Sequence, residues 1–317
     1  MAAVREKAPA RLTLGPLLFN WPADKVRDFY ARIADEAPVD IVYLGEVVCP
    51  KRAPLLAEAL ADAAARLAQA GKAVVHASQA LILDARDLAG LQALAEDPDL
   101  VIEANDVAAL AVLEGRPHVV GPMVNVYNEA TLAYLGRAGA ARVCLPVELP
   151  RAAIAALAGS LDIALEVQVF GRLPLAVSAR CYHARAHGLH KDNCRFVCDR
   201  DADGMTVETL DGEPFLAVNG IQTLSHSYCA LLAELDDLRA IGIGHFRLSP
   251  HSLDMVAVAR LYRDVLDGRL AAAEATHTLA AMVPHAPLSN GYYHGKEGRA
   301  HIDAASPWKF QDGLLVS

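Results

Sequence analysis

Residues 39–45 read VDIVYLG, residues 54–71 read PLLAEALADAAARLAQAG, and residues 72–78 read KAVVHAS. The first and third are short apolar runs bounded by turn residues. The second places apolar side chains at helical spacing, opens on Pro54 and closes on Gly71. The reading is strand, helix, strand. Working outward, the unit recurs. Further strand-like runs are RLTLGPLLF (11–19), LVIEA (100–104), HVVGP (118–122), ARVCLPV (141–147), ALEVQVF (164–170) and HFRLS (245–249). Between them lie helix-like runs: ADKVRDFYARIADEA (23–37), ARDLAGLQALAED (85–97), DVAALAVLEG (106–115), NEATLAYLGRAG (128–139) and PRAAIAALAGSL (150–161). Mostly apolar strands alternating with helices imply a parallel sheet covered by helices. About eight such units fit a (β/α)8 TIM-like barrel better than an open sheet.

The regularity breaks once. After the seventh strand, residues 172–225 hold no simple helix, and MTVETLDGEPFLAVNG (205–220) reads as a hairpin about Asp211-Gly212. A helix over YCALLAELDDLRAIG (228–242) follows, then the eighth strand and a last helix over SLDMVAVARLYRDVLDG (252–268). The expected organisation is a barrel over 1–283 that includes the insertion 172–225, then an irregular tail over 284–317.

The chain has 317 residues, 54% of them hydrophobic, and a formal net charge of −9. That supports a large buried core and argues against nucleic acid as a partner. No apolar run is long enough to span a bilayer. The apolar stretch near the start ends at Asn20-Trp21-Pro22 without a small-residue cleavage pattern, which reads as a first strand rather than a signal peptide. The expected location is the reducing cytoplasm, where clustered thiols are metal ligands or redox groups rather than disulfides.

Four of the six cysteines form such a group. Cys194 and Cys198 stand as Cys-x3-Cys, Cys181 lies thirteen residues upstream of Cys194, and Cys49 follows the VDIVYLG strand. Barrel enzymes work at the C-terminal ends of their strands, and both segments fall on that rim. Four thiolates suit zinc or an iron–sulfur cluster. Structural zinc sites usually pair their cysteines twice. Here there is one close pair, and Lys51, Arg52, Arg180, Arg185, Lys191 and Arg195 surround the thiols, which favours a cluster; zinc and unrelated cysteines remain open. Cys144, inside a strand, and Cys229, on a helical face, read as small hydrophobes. At or just beyond strand ends lie Glu46, His76, Glu103, Asn105, Asn125, Glu148, Glu166, Arg247 and Ser249. Of these, Glu46, Glu103, Glu148 and Arg247 are the catalytic candidates. The structural alternatives are a helix cap for Glu148 and an internal pair for Glu166 with Arg247. No phosphate loop, G-x-S-x-G or H-E-x-x-H is present.

LTLGPLLFNWP, VDIVYLGEVVCPKR, IEANDVAAL, LPVELPR, EVQVFGRLPLAVSARCYHAR, VNGIQTLS and RLSP together resemble the UbiU/UbiV branch of the collagenase-like peptidase U32 family. YLGEVVCPKR is similar to its UbiV side, and GRLPLAVSARC to the wider family. The resemblance implies a barrel that binds a 4Fe-4S cluster through Cys49, Cys181, Cys194 and Cys198. It also implies a heterodimer with a UbiU-like protein that hydroxylates the aromatic ring of a ubiquinone precursor without oxygen, with prephenate as the associated hydroxyl donor. The interval between Cys181 and Cys194 is somewhat shorter than in UbiV-like proteins.

Overall fold

A computed structural model describes residues 10–303. Its strands, in chain order, are β1 (Arg11–Leu14), β2 (Ile41–Leu44), β3 (Ala73–Ala77), β4 (Ile102–Ala104), β5 (His118–Val120), β6 (Ala140–Cys144), β7 (Ala164–Val177), β8 (Met205–Glu208), β9 (Pro214–Asn219), β10 (Gln222–Ala230), β11 (His245–Leu248) and β12 (Leu288–Ser289). Strands β1 to β7 pair in parallel in sequence order, and β11 pairs in parallel with both β7 and β1. Eight parallel strands therefore close into a (β/α)8 barrel.

The helical shell follows from amphipathic spacing. Helix α1 (Ala23–Glu36) buries Val26, Tyr30 and Ile33, and α2 (Ala53–Gln69) buries Leu56, Ala59, Ala63 and Leu67. Both sets recur every three or four residues, as one helical stripe facing a core does. Next come α3 (Ala85–Ala95), α4 (Val107–Val112) and α5 (Glu129–Arg137), whose N-caps Asp84, Asp106 and Asn128 each accept a backbone N–H. Pro150 stands at the N-cap of α6 (Arg151–Ser160).

The insertion differs in detail from the sequence expectation. Strand β7 does not stop at Phe170 but runs on to Val177. Gly171, at φ +110, marks the bend: a Cβ there would sit 2.6 Å from the Ser249 Cβ and 2.8 Å from His251 Nε2, so glycine is required. Beyond it, β7 leaves the barrel and pairs antiparallel with β10, which pairs with β9, which pairs with β8. The Asp211-Gly212 hairpin is the β8–β9 turn, with Gly212 at φ +86. A short helix, α7 (Tyr182–Ala186), fills part of the loop.

The helix expected over 228–242 is corrected. Tyr228, Cys229 and Ala230 end β10, and only Leu235–Ala240 is helical (α8). Local Ala and Leu favour a helix, but pairing with the β7 extension overrides that propensity. Cys229 is thus a buried strand residue rather than one on a helical face. Helix α9 (Met255–Leu266) is followed by α10 (Ala272–Met282), which the sequence reading did not pick out. The described tail is mostly turns, but β12 pairs with β10, and Asn290 and Tyr293 are buried. The expectations for the first nine residues and for the end of the tail beyond 303 lie outside the described residues. Among the described residues, no helix is long and apolar enough to cross a membrane.

Candidate functional site

Cys49, Cys181, Cys194 and Cys198 line a single small cavity together with Lys51, Arg52, Ala184, Lys191, Phe196, Val197 and Gly220. Chain geometry explains the convergence. Cys49 sits on the loop after β2, on the rim where β-strand C-termini open. The β7 extension carries Cys181 over that rim, and α7 and two turns return Cys194 and Cys198 to it. All four are free thiols; Cys49, Cys181 and Cys198 are buried, and Cys194 is partly exposed.

The polypeptide aims hydrogen-bond donors at the sulfurs. Cys198 Sγ accepts from Asn20 Nδ2 at 3.4 Å and Arg52 Nη2 at 3.5 Å, and Cys181 Sγ accepts from the Ala184 N–H at 3.4 Å. The Cys181 thiol in turn donates to the Gly220 carbonyl. Between the paired cysteines, Cys194 is right-handed while Arg195 and Phe196 lie at φ +51 and +53. Left-handed non-glycine residues cost on the order of 1–2 kcal/mol each, so this turn is held by its surroundings.

Arg52 is the electrostatic centre. Its side chain is 1% exposed and binds Asn219 Oδ1 at 2.8 Å and the Leu18 carbonyl at 3.3 Å; its Nε has no partner. Glu46 stands 3.9 Å from it. Glu46 Oε1 accepts the N–H groups of Val48 and Cys49, so the carboxylate folds the loop that presents Cys49, and Oε2 has no partner. Burial pushes the Glu46 carboxyl up, while Arg52 and the two N–H groups pull it down. Burial also pushes the Cys49 and Cys198 thiols up, and Arg52 opposes this at both. This donor set — four thiols, N–H groups aimed at sulfur and a sealed guanidinium — fits a thiolate-held cluster. Among the described residues no three Cys, His, Asp or Glu side chains converge closely enough to hold a single metal ion.

The catalytic candidates divide between three places. Glu46 belongs to the thiol cavity. Glu103 and Arg247 share the barrel mouth, in a second cavity with Gly15, Leu18, Val47, Asn105, Gln168 and Ser249. There Arg247 bonds Glu103 at 2.6 Å and Glu166 at 2.9 and 3.1 Å. The internal Glu166–Arg247 pair expected from sequence is present. Arg142 also reaches Glu166 at 3.2 Å, Thr13 and Tyr43 each donate to it at 2.5 Å, and Asn105 donates to Glu103 at 3.0 Å. Burial would raise the Glu166 carboxyl, but Arg247 and Arg142 outweigh it and hold it down at about 2. Two carboxylates and two guanidiniums thus neutralise one another, and Leu18 and Val47 separate them from the thiols.

Glu148 lies in neither cavity. It accepts from the Tyr127 hydroxyl in an outer groove with Leu81, Met123, Asn125 and Leu175. It does not cap α6, whose N-cap is Pro150. This groove and the mouth cavity share Pro122, Met123 and Pro174. His76 is half-buried in β3, outside these cavities. Cys144 is fully buried, and its thiol is pushed up by burial. The sequence reading missed Asn20, Asn219 and Gln222, which clamp the cysteine segment to the barrel: Asn219 Nδ2 donates to the Cys198 and Asp201 carbonyls, and Gln222 Nε2 to the Leu18 carbonyl. The available signal was Asn219-Gly220 at the hairpin's end.

Comparison with solved structures finds similar chains. They include phospho-2-dehydro-3-deoxyheptonate aldolase from Thermotoga maritima (11% identity, 91% of this chain, 75% of that chain, TM-score 0.43). A truncated 3-deoxy-D-arabino-heptulosonate 7-phosphate synthase from the same organism has 11% identity, 91% and 94% coverage and a TM-score of 0.41. A chain of the tryptophan synthase complex from Pyrococcus furiosus has 14% identity, 86% and 96% coverage and a TM-score of 0.38. The sequence model for Peptidase family U32 matches residues 22–303, which takes in nearly the whole barrel, the cysteine-bearing insertion and the described tail. The chain belongs to peptidase family U32.

Proposed function

We propose that this chain is an iron–sulfur protein of the UbiV branch, with Cys49, Cys181, Cys194 and Cys198 holding a 4Fe-4S cluster. In this reading it serves, beside a UbiU-like partner, in the oxygen-independent ring hydroxylation of a ubiquinone precursor, with prephenate as hydroxyl donor. The observation that carries the reading is the gathering of four thiols from two distant segments around one cavity walled by Arg52, Lys51 and Lys191. When bound, such a cluster supplies one-electron redox chemistry. The chain's own residues hold it: Glu46 sets the Cys49 loop, Asn20, Arg52 and the Ala184 N–H donate to sulfur, and Leu18, Val47, Val48 and Ile221 keep water out. The test is ubiquinone formation without oxygen in cells carrying this chain and its partner. Cys194→Ala abolishes it on this reading, and undiminished formation contradicts it.

A second reading, a non-catalytic electron-transfer or scaffold partner, is favoured by the barrel mouth. There Glu103 and Glu166 are committed to Arg247 and Arg142, which leaves no free acid or base among those four. Glu103→Gln and Glu148→Gln separate the two readings. Loss of ring hydroxylation with iron retained favours catalysis in this chain; survival through both changes favours the scaffold. Neither reading is a peptidase. Two buried histidines pair with partly exposed aspartates, His183 with Asp201 and His251 with Asp203, and among the described residues no hydroxyl or thiol is bonded to either ring, so neither arms a nucleophile.

A further inference from the structure

We infer that the exposed surface around Cys194 is the docking site of a small acidic electron-carrier protein. This rests on the cluster reading above and names the partner that the same site takes. Residues 180–200 contain four arginines and one lysine against two aspartates, a formal +3 in a chain of −9, so the remaining residues carry −12. The segment that carries three of the four thiols is thus positive in a negative chain, and Asp201 and Asp203 follow directly at its end.

The arginines there also differ from those tied down on the helical shell, although Arg86, Arg137 and Arg299 elsewhere are likewise exposed and outside the ion pairs of the described residues. On the helical shell, Arg27, Arg32, Arg66, Arg151, Arg263 and Arg269 each pair with carboxylates. Arg180, Arg185, Arg195 and Arg200 are exposed, and none appears among the carboxylate ion pairs of the described residues. Asp192, one of the segment's two acids, is taken up by Lys51 at 3.2 Å, and Lys51 also binds the Lys191 carbonyl at 2.7 Å. Helix α7, which carries Arg185, packs against the Val197–Arg200 turn, and Arg180 and Arg195 directly adjoin Cys181 and Cys194. Four exposed guanidiniums thus share one short segment with Cys194, the most exposed of the four thiols.

Unpaired rim charge steers and orients an oppositely charged partner more than it adds affinity. An acidic carrier seated here brings its redox centre over Cys194. The carrier then gives up one electron and the thiolate-held cluster takes it; no bond is made or broken and no proton or further reactant is needed. The negative remainder of the chain disfavours a polyanion that would run on across it, whereas a compact acidic protein can seat on the positive segment alone.

The test measures binding of a plant-type [2Fe-2S] ferredoxin, an acidic protein, to the full chain purified without oxygen, at three salt concentrations. The expected result is binding at low salt that weakens at least tenfold by 0.5 M salt, since exposed charge is screened. Combined Arg180→Glu, Arg185→Glu, Arg195→Glu and Arg200→Glu weakens it at least thirtyfold. The pair Arg185→Glu and Arg200→Glu alone, whose side chains do not adjoin a cysteine in sequence except across one residue, weakens it several-fold. Arg86→Glu, Arg137→Glu and Arg299→Glu, exposed arginines outside the segment, leave it unchanged. Ferredoxin binding that is absent, or indifferent to the reversals in the segment, overturns the inference. So does a structured RNA that binds in its place and is lost with the same arginines. Iron content separates the two levels: an iron-loaded chain that ignores ferredoxin sinks the docking surface alone, and a chain without iron that still binds through these arginines sinks the cluster reading alone.

Discussion

Replacing Arg52 by methionine tests what holds the thiol cavity together. The side chain is 1% exposed, bonds Asn219 at 2.8 Å and the Leu18 carbonyl at 3.3 Å, and stands 3.9 Å from the buried Glu46. Methionine fills much of the volume but leaves Glu46 without its cation and Asn219 Oδ1 with only the longer bond from the Asn20 N–H at 3.4 Å. Removing one partner of a buried ion pair costs about 3–5 kcal/mol, because the other charge stays desolvated. At roughly 2–3 °C per kcal/mol for a chain of this size, the melting temperature falls by roughly 6–15 °C. Arg52→Lys keeps the charge but loses the planar fork, so its loss is about half as large. Arg52→Met combined with Glu46→Gln recovers part of the loss, since the orphaned charge is gone. Thermal unfolding of metal-free protein followed by circular dichroism reads all four proteins. A fall below about 2 °C for Arg52→Met, or strict additivity in the double variant, refutes the argument that a sealed charge pair supports the thiols.

Three further outcomes follow from the geometry. Gly220 and Gly188 share φ +69, but a methyl group at Gly220 would collide with the Arg52 guanidinium, whereas Gly188 has open space; both alanine variants therefore lose about 1–2 kcal/mol to the backbone, and urea unfolding shows an added loss at Gly220→Ala alone. Arg247→Met strands Glu103 inside the barrel and leaves Glu166 with Arg142 as its one cation; the change costs about 3–5 kcal/mol, measured by the same unfolding curves, with partial recovery on adding Glu103→Gln. Asp203 is pushed up by burial but held down at about 2 by His251 and Ser252. A depressed carboxyl contributes stability that is complete above its ordinary range near 4 and lost as pH falls toward 2, so wild type loses about 2 kcal/mol over that interval that Asp203→Asn never had; unfolding curves at pH 5, 4, 3 and 2 check the sign and size.

The barrel was legible because apolar strands, helical stripes and punctuating Pro and Gly repeat at short range. The site was legible in part for a different reason: thiols are rare, and strand ends share one rim, so Cys49 and the 181–198 segment could be matched across the sequence. What escaped depends on tertiary partners. Tyr228-Cys229-Ala230 carry helix-favouring neighbours, yet the extension of β7 past Gly171 recruits them into β10. Glu46 has the sequence position of a pocket acid, but two backbone N–H groups two and three residues on capture it. Arg52 reads as one of several basic neighbours; only the fold distinguishes it, sealed under the sulfurs, from Arg180 and Arg195, which remain in solvent. Glu148 meets Tyr127 twenty-one residues away, across the ends of neighbouring strands, where no local pattern reaches.

The most direct measurement is the iron, acid-labile sulfide and zinc content of the full chain purified without oxygen. The account predicts a brown protein with close to the four irons and four sulfides of a [4Fe–4S] cluster, lost in Cys194→Ala and kept in Cys144→Ala. A colourless protein carrying one zinc and no sulfide contradicts it.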